Sequence, residues 1–182
     1  MPRAYRLSDS LTTSHYLLRR VTTADAAAIF TSYAADADVT RFLGWTPHRH
    51  VAETERFLAG AAREWEDGSG FPLIVSPRGA PAEVIGMFHP RLRGSSVSYG
   101  YVIARRAWGR GCASEILSCL VQHALAHPAI FRTEAFCDER NVASARVMER
   151  AGMQREGRLR RYFLHPNLSP EPTDCLLYAR VR

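Results

Sequence analysis

The segment RRAWGRGCASEIL, Arg105 to Leu117, places two glycines and three arginines directly before an apolar run with helical spacing. The start of a helix has backbone N–H groups without intrahelical acceptors and carries about half a positive charge. Gly109 and Gly111 can adopt positive φ and let the backbone approach a ligand closely. The pattern favours a phosphate or pyrophosphate over residues 106–114. A glycine-containing turn whose arginines are merely solvated is the alternative that the segment leaves open.

Three known designs for phosphate binding can be compared with this loop. A P-loop ends in Gly-Lys-Ser/Thr, and neither Lys-Ser nor Lys-Thr occurs in the sequence. A dinucleotide-binding unit needs its first glycine at the end of the strand, but Arg105 to Trp108 separate the predicted strand from Gly109. Asp138 could supply the acid of that unit, yet Ser114 occupies its third glycine position. The acyl-coenzyme A loop is the design that remains.

The composition is that of a soluble globular protein with one domain. The chain has 182 residues, of which 46% are hydrophobic and 23% charged, so it can bury a core without metals or disulfides. The net charge of +6, carried by arginine, favours an acidic ligand. The arginines are scattered and not grouped with aromatic residues on one element, which argues against nucleic-acid binding.

The cysteine pattern and the apolar runs bear on cellular location. The four cysteines form no Cys-x-x-Cys pair and no zinc-ligand spacing with histidine. We therefore expect reduced thiols, no metal and a cytoplasmic protein. The N-terminal segment has no apolar core of signal-peptide length, and no later run is long enough to span a bilayer. We expect neither export nor membrane insertion.

Hydrophobic periodicity predicts the elements that position the loop. The order is a strand, two helices, three meander strands, a helix, a strand, a helix and a final strand pair. The unit from Val97 to Cys137 should be parallel and right-handed, and Asn141 should cap the last helix. The second helix, Val51 to Glu66, should bury a stripe of Phe57, Leu58, Ala61, Ala62 and Trp65. The predicted strands cover residues 15–21, 71–76, 83–90, 97–104, 130–137, 153–163 and 175–181.

Several motifs together resemble the GNAT N-acetyltransferase superfamily. The run RAWGRG, residues 106–111, is similar to its Arg/Gln-x-x-Gly-x-Gly/Ala motif, and YGYVIARRAWGRGCASEIL looks like the strand, loop and helix around it. NVASARVMERAGMQREG resembles the Asn-x-x-Ser…Gly-Met/Phe…Glu-Gly segment of the RimJ/RimL-type branch, which acetylates N-terminal amines of ribosomal proteins. Further similar stretches follow in the order of that branch from about residue 13 onward.

The resemblance implies a single GNAT-type α/β domain over residues 13–182, preceded by an N-terminal extension, residues 1–12. Its central sheet is expected to be mixed, mostly antiparallel, splayed at the acyl-CoA site and flanked by about four helices. The implied activity is direct transfer of an acetyl group from acetyl-CoA, the cosubstrate, to a primary amine in a ternary complex. The acceptor would be a protein N-terminus, such as that of a ribosomal protein, or a small amine.

The resemblance also assigns residues to acetyl-CoA. The loop N–H groups would hold the pyrophosphate, and the strand before the loop would pair with the pantetheine arm, with one of its N–H groups facing the thioester carbonyl. Ser144 would lie near the sulfur, and Asn141 would hydrogen-bond the pantetheine or order a water. Asn141 is also explained as a helix cap and Ser144 as an ordinary first-turn residue. The implied cofactor-binding residues are Tyr101, Val102, Ile103, Arg106, Trp108, Gly109, Arg110, Gly111, Cys112, Ala113, Ser114 and Asn141.

The sequence leaves the general base unassigned. Many relatives carry a carboxylate just before the Gly-Tyr of the meander strand, where this chain has Ser98. Glu134, His89 or a water chain are the candidates, although an arginine partner explains Glu134 better. The missing carboxylate motivates a second hypothesis, a non-catalytic acyl-CoA-binding sensor. Cys112 is explained by packing at a helix start and is not proposed as a nucleophile.

Residues near the expected acceptor pocket have simpler explanations as well. Trp45, His48 and His50 lie where the family builds part of that pocket, but they can be ordinary loop residues. The arginines of residues 158–161 can coat an exposed strand instead of binding an acidic acceptor. Dimers are frequent among relatives, but no interface stripe predicts one in this sequence.

Overall fold

A single sheet of eight strands runs through the computed structural model, which describes residues 5–182. The strands are β1 (Ser10–Thr12), β2 (Tyr16–Arg20), β3 (Leu73–Pro77), β4 (Gly86–Arg93), β5 (Ser96–Ile103), β6 (Arg132–Asp138), β7 (Gln154–Phe163) and β8 (Thr173–Val181). In the order β1-β2-β3-β4-β5-β6-β8-β7, each neighbouring pair is antiparallel except β5 and β6, which are parallel. The predicted mixed, mostly antiparallel sheet is confirmed.

Helices cover both faces of the sheet. They are α1 (Ala26–Ile29), α2 (Ala37–Thr40), α3 (Val51–Asp67), α4 (Cys112–Ala126) and α5 (Val142–Arg150). About four helices were expected and five are present, two of which, α1 and α2, are single turns. A 3-10 turn, Thr23–Asp25, precedes α1, and the Thr22 N–H donates to the Asp25 carboxylate at 2.8 Å. α1 continues into a π-type turn. No helix within residues 5–182 has the length and apolar character needed to cross a membrane.

The structure contains one strand that the sequence did not indicate and exposes one side chain that was expected on a buried stripe. β1 lies within the segment expected as an extension, of which residues 1–4 lie outside the described residues, and it pairs with β2. Tyr5 and Leu7 are also buried in the core. The short polar strand has no apolar alternation, so no periodicity indicated it. Phe57 was expected on the buried stripe of α3 but is 40% exposed. The buried stripe runs through Leu58 and Trp65, so Phe57 lies at its edge.

Alternation along the strands divides the core into two layers. α4 and α5 pack on one face with Phe88, and we call this the α4–α5 face. α1 and α3 pack on the other face with the neighbouring residue, Met87, and we call this the α1–α3 face. On β5, Tyr99 and Ile103 belong to the first face and Val102 packs against the second. Successive residues of a strand point to opposite faces, so a side chain's place in the strand determines which layer it joins.

Gly86 allows β4 to lie close to β5 beside the loop. A Cβ added at Gly86 would lie 2.5 Å from the Val102 carbonyl oxygen and 2.8 Å from Ile103 Cδ1. We expect Gly86→Ala to lower the free energy of unfolding by about 1–3 kcal/mol, because backbone cannot move aside as a side chain can. Gly79→Ala is the control, since a Cβ there meets nothing within 4 Å. Equal denaturant midpoints for the two variants would contradict the close approach.

Candidate active site

The sheet opens between β5 and β6. The two strands are paired only where Ser96–Ser98 lie beside Arg132–Glu134. Beyond that point β5 stays paired with β4 as far as Ile103, and β6 stays paired with β8 as far as Asp138. Because each strand is held from its outer side, the inner edges separate and leave backbone groups free between them. The splay that the family resemblance implied is therefore present, and the chain passes from β5 through one short turn into the glycine loop.

The register shows which backbone groups of β5 face this opening. The Ala104 N–H donates to the Ile85 carbonyl at 2.8 Å, so Ala104 directs its N–H toward β4. In an antiparallel strand this direction alternates, so Tyr101 and Ile103 direct their backbone groups away from β4 and toward β6. The Ile103 carbonyl accepts from the Trp108 indole N–H at 2.7 Å. The Tyr101 N–H and carbonyl and the Ile103 N–H remain directed into the opening.

Residues 109–114 present a row of backbone N–H groups at the start of α4. Gly109 and Gly111 have φ of 73° and 77°, and a Cβ added at either would meet nothing within 4 Å. Within residues 5–182, the N–H groups of residues 109–114 have no protein acceptor. The Trp108 N–H, expected to join this row, instead donates to the Arg105 carbonyl at 3.1 Å. Such a row at a helix N-terminus forms an anion-binding concavity.

The arginines of the loop differ in what they contact. Arg106 donates to the Glu83 carboxylate at 3.0 Å and to the Val84 carbonyl at 2.6 Å, so its guanidinium anchors the turn. Arg105 also has a carboxylate partner. In the part of the chain that the structure describes, Arg110 makes no ion pair, and it borders a cavity of about 260 Å³ beside the loop. Arg110 is therefore the loop arginine whose charge is left for an external anion.

Ser144 and Asn141 lie at the first turn of α5, and a β5 side chain reaches them. Tyr101 Oη lies 2.6 Å from Ser144 Oγ, and its ring stacks on Phe88 with centroids 5.1 Å apart. Asn141 Oδ1 accepts from the Ser144 N–H at 3.1 Å, which confirms the predicted helix cap. Burial raises the pKa of Tyr101, and the hydrogen bond with Ser144 opposes this only in part. The phenol is therefore protonated at neutral pH and can donate.

Sequence reasoning gave Tyr101 only a backbone role, so it missed this phenol–serine contact. The usable signal was alternation, because Tyr99 and Tyr101 must lie on the same face of β5. Tyr99 Oη donates to the Leu120 carbonyl of α4 at 2.9 Å, and Tyr101 reaches α5 on the same face. The strand thus carries its two phenols to the two helices that border the opening.

The cysteines near the opening are protonated thiols. Cys112 begins α4, and Cys137 lies on β6 with its Sγ 3.8 Å from the Asn141 carbonyl. Burial raises the pKa of Cys112 to about 12 and that of Cys137 to about 11. Neither thiol is ionised at neutral pH, which supports the interpretation of Cys112 as a packing residue. No group of His, Cys, Asp and Glu side chains within residues 5–182 is arranged to hold a metal ion.

Neither side chain considered as the general base is free to act as one. Glu134 is ion-paired at 2.8 Å with Arg132, which lies on the same strand and not across the sheet as expected. His89 is buried and uses both ring nitrogens, with Nδ1 2.9 Å from the Arg91 guanidinium and Nε2 against the Glu64 carboxylate. Because arginine only donates, Nδ1 must accept, and Nε2–H must donate to Glu64. His89 therefore keeps no lone pair for a substrate.

The segment before α3 contacts the β7–β8 connection. The rings of Trp45 and His48 are 4.9 Å apart, and His48 Nδ1 lies 2.8 Å from Thr54 Oγ1. Asn167, in the β7–β8 connection, donates to the Trp45 carbonyl at 2.8 Å. His50 is exposed and caps α3. Trp45 and His48 are thus brought to the β7–β8 side of the molecule, and His50 is not.

The arginines of β7 coat an exposed strand, as interpreted from the sequence. Arg158 is ion-paired with Glu139 at 2.8 Å and with Asp174 at 2.9 Å. Arg161 is ion-paired with Glu171. These carboxylates already compensate both guanidinium groups, so the arrangement gives no indication of an acidic acceptor at this strand.

Comparison with known proteins agrees with this arrangement. A family model described as an acetyltransferase (GNAT) domain matches residues 15–154. The uncharacterised N-acetyltransferase YoaA of Bacillus subtilis is 29% identical over 175 residues, which is 94% of this chain and 97% of YoaA.

Two solved structures share the fold. RimL, a ribosomal alpha-N-protein acetyltransferase in complex with coenzyme A, has a TM-score of 0.83 at 20% identity, covering 94% of this chain and 96% of that one. Mycobacterium smegmatis RimJ, in complex with a CoA disulfide, has a TM-score of 0.82 at 24% identity, covering 94% and 86%. The family model matches well over half of the chain, and the protein is therefore a member of the GNAT acetyltransferase family.

Proposed function

We propose that this acetyltransferase binds acetyl-CoA in the opening between β5 and β6 and transfers the acetyl group directly to a primary amine. The observation that carries the proposal is the row of N–H groups over residues 109–114, which have no acceptor among residues 5–182. These residues include two left-handed glycines and follow the strand that borders the opening after one short turn, Arg105–Ala107. A diphosphate bound there would leave the rest of the molecule beside β5.

The loop would bind the diphosphate through its backbone. Free N–H groups and the helix dipole favour an anion, and the Arg110 guanidinium adds a full charge. Arg106 and Trp108 would act by holding the loop in place, through the Val84 and Ile103 carbonyls respectively. The proposed direct donors are the N–H groups of Gly109, Arg110, Gly111, Cys112, Ala113 and Ser114.

Residues Tyr101, Val102 and Ile103 would hold the pantetheine arm. An extended arm can pair with the free backbone groups of Tyr101 and Ile103 in the manner of an added strand. One of these N–H groups would face the thioester carbonyl and stabilise the negative oxygen of the transition state. A single donor of this kind contributes about 3 kcal/mol to transition-state stabilisation.

Ser144 would serve the leaving group. Its hydroxyl is hydrogen-bonded to the Tyr101 phenol, so a proton supplied to the departing sulfur can be replaced from that phenol. Asn141 Nδ2 has no acceptor within the described residues and can donate to the pantetheine while Oδ1 caps α5. General acid catalysis by a positioned side chain contributes about 10²–10⁴-fold to a rate.

The acceptor is proposed to be a primary amine. Protein N-termini, including those of ribosomal proteins, are the first acceptors to test, because the structurally similar RimL is described as a ribosomal alpha-N-protein acetyltransferase. Small amines, amino acids and aminoglycosides form the alternative, since one fold carries many acceptor specificities.

The test is thiol release from acetyl-CoA with a panel of free amines. The panel contains N-terminal peptides of ribosomal proteins, amino acids, aminoglycosides and alkylamines, and each peptide is matched with a copy blocked at its N-terminus. We expect release with a free amine only, together with a gain of one acetyl group in the mass of that amine. The chain contains no lysine, so no lysine side chain of the enzyme can compete as acceptor. Tight acetyl-CoA binding without release for any free amine would contradict transfer and favour the sensor hypothesis.

A further inference from the structure

A buried polar cluster joins the end of β6 to the β7–β8 connection. The side chains of His165 and Asp138 are 3% and 0% exposed. Thr173 Oγ1 lies 2.6 Å from Asp138 Oδ2 and 2.8 Å from His165 Nδ1. A carboxylate only accepts, so the Thr173 hydroxyl gives its one hydrogen to Asp138. Thr173 Oγ1 must then accept from Nδ1–H of His165.

These contacts fix the tautomer of His165. Nδ1 carries the hydrogen, and Nε2 keeps the lone pair and makes no hydrogen bond to another described residue. Burial lowers the pKa of His165; Asp138 opposes this, Arg140 adds to it, and a hydrogen bond with the Phe163 backbone opposes it. The net shift is downward, so the ring is neutral at pH 7. Burial alone would raise the pKa of Asp138, but hydrogen bonds from Arg140 and Thr173 hold it well below its usual range. An ionised Asp138 therefore orients a neutral imidazole through Thr173.

The cluster lies on the opposite side of the sheet from Ser144. Cys137 and Asp138 are successive residues of β6, so their side chains point to opposite faces. Cys137 belongs to the α4–α5 face, where its Sγ contacts the Asn141 carbonyl. Asp138, which is linked to His165 through Thr173, therefore lies on the opposite face of β6. An acyl group lying in the opening would thus have Ser144 on one side and His165 on the other.

An aromatic side chain, Phe163, packs against the imidazole and is itself backed by Phe136. The Phe163 ring lies 5.1 Å from the His165 ring and 5.1 Å from the Phe136 ring. On its other side Phe163 packs against Gly44, where an added Cβ would lie 2.7 Å from the ring. Burial against this apolar ring disfavours the charged form of the imidazole. Such surroundings suit a base that is charged only while it holds a substrate proton.

We propose that Nε2 of His165 is the general base that removes a proton from the acceptor amine, an inference that rests on the proposed acetyl transfer. An N–H bond of the ammonium group breaks and its proton moves to Nε2. The freed lone pair forms the C–N bond at the thioester carbonyl, and the C–S bond breaks with its electron pair going to sulfur. A second proton leaves the new amide nitrogen and reaches the sulfur on the Ser144 side. The products are the acetylated amine, the CoA thiol and one proton, which His165 releases to solvent.

His165→Asn separates catalysis from structure, because the asparagine NH₂ takes the place of Nδ1–H while Nε2 is lost. With n-butylamine, an ammonium ion at pH 7, we expect kcat/KM to fall by about 100-fold or more. With trifluoroethylamine, which is already neutral, we expect a loss of less than about 3-fold, since no base is then needed. Acetyl-CoA affinity should be unchanged, and the limb of the pH profile that rises from below pH 6.5 should disappear. Equal losses with both amines would assign His165 a structural role and overturn the proposal.

Nitrogen-15 NMR of the imidazoles tests the same inference without an acceptor. We expect a neutral Nδ1–H tautomer at pH 7 for the signal that His165→Asn removes. An Nε2–H tautomer or a protonated ring would overturn the role of His165 as base, whatever the activity. Absence of transfer by the wild-type protein would overturn the proposed function and this role together. Full transfer to n-butylamine by His165→Asn would overturn this role alone.

Discussion

Gly109→Val and Gly111→Val are each expected to weaken acetyl-CoA binding by about 100-fold while the domain stays folded. Valine at φ of 73° or 77° is strained, and relief of that strain turns N–H groups away from the diphosphate. Losing two charge-assisted hydrogen bonds of about 1.5 kcal/mol each corresponds to this change in Kd. The open space around both glycines means that the side chain itself displaces nothing. Isothermal titration with acetyl-CoA measures the effect.

Gly94→Val is the matched control for the loop variants. Gly94 also has positive φ, at 60°, and a Cβ there meets nothing within 4 Å, but it lies in the β4–β5 turn. We expect all three variants to lose about 1–3 kcal/mol of unfolding free energy from backbone strain. Only the two loop variants should lose affinity. A similar loss of affinity in Gly94→Val, or none in the loop variants, would contradict the assignment of the loop.

Ser144→Ala is expected to lower kcat for acetyl transfer by about 100-fold, with acetyl-CoA affinity changed by less than about 3-fold. The substitution removes the hydroxyl that would protonate the departing sulfur and leaves the backbone of α5 intact. Pre-steady-state thiol release isolates this step from product release. Ser118→Ala on α4 is the control, because its hydroxyl contacts only Gln122 among the described residues.

Tyr101→Phe tests whether the phenol acts through the serine. If Tyr101 resupplies the proton to Ser144, the double variant should be no slower than Ser144→Ala alone, because contacting groups in one relay are not additive. Independent, multiplying effects would show that the two hydroxyls do not form one relay. An unchanged kcat in Ser144→Ala would remove the leaving-group role altogether.

The parts of the site that could be predicted from the sequence depend only on residues that are close to one another along the chain. Left-handed Gly109 and Gly111, the start of α4 at Cys112 and the Asn141 cap each follow from local backbone chemistry. The antiparallel meander was predictable for the same reason, since turn residues separate short apolar runs. The general base was not predictable, because both side chains that the sequence offered besides a water chain, Glu134 and His89, are hydrogen-bonded to charged partners.

The parts that were missed depend on contacts between distant segments. Tyr101 and Ser144 are 43 residues apart, and only the parallel placement of β5 beside β6 brings them together. Asp138 and Thr173 are 35 residues apart, and their contact needs the antiparallel pairing of β6 with β8. Neither register leaves a periodic trace in the sequence. The role of Arg106 was also not predictable, because it depends on an ion pair with a distant residue. The motif suggests a ligand-binding arginine, but its guanidinium contacts Glu83 in the fold.

The central claim is that the left-handed glycine turn binds the diphosphate of acetyl-CoA, and a crystal structure of the complex tests it most directly. We expect diphosphate oxygens about 2.7–3.2 Å from the N–H nitrogens of residues 109–114, with the pantetheine arm along Tyr101–Ile103 and the sulfur near Ser144. A diphosphate held elsewhere, with those N–H groups left to solvent, would contradict the account.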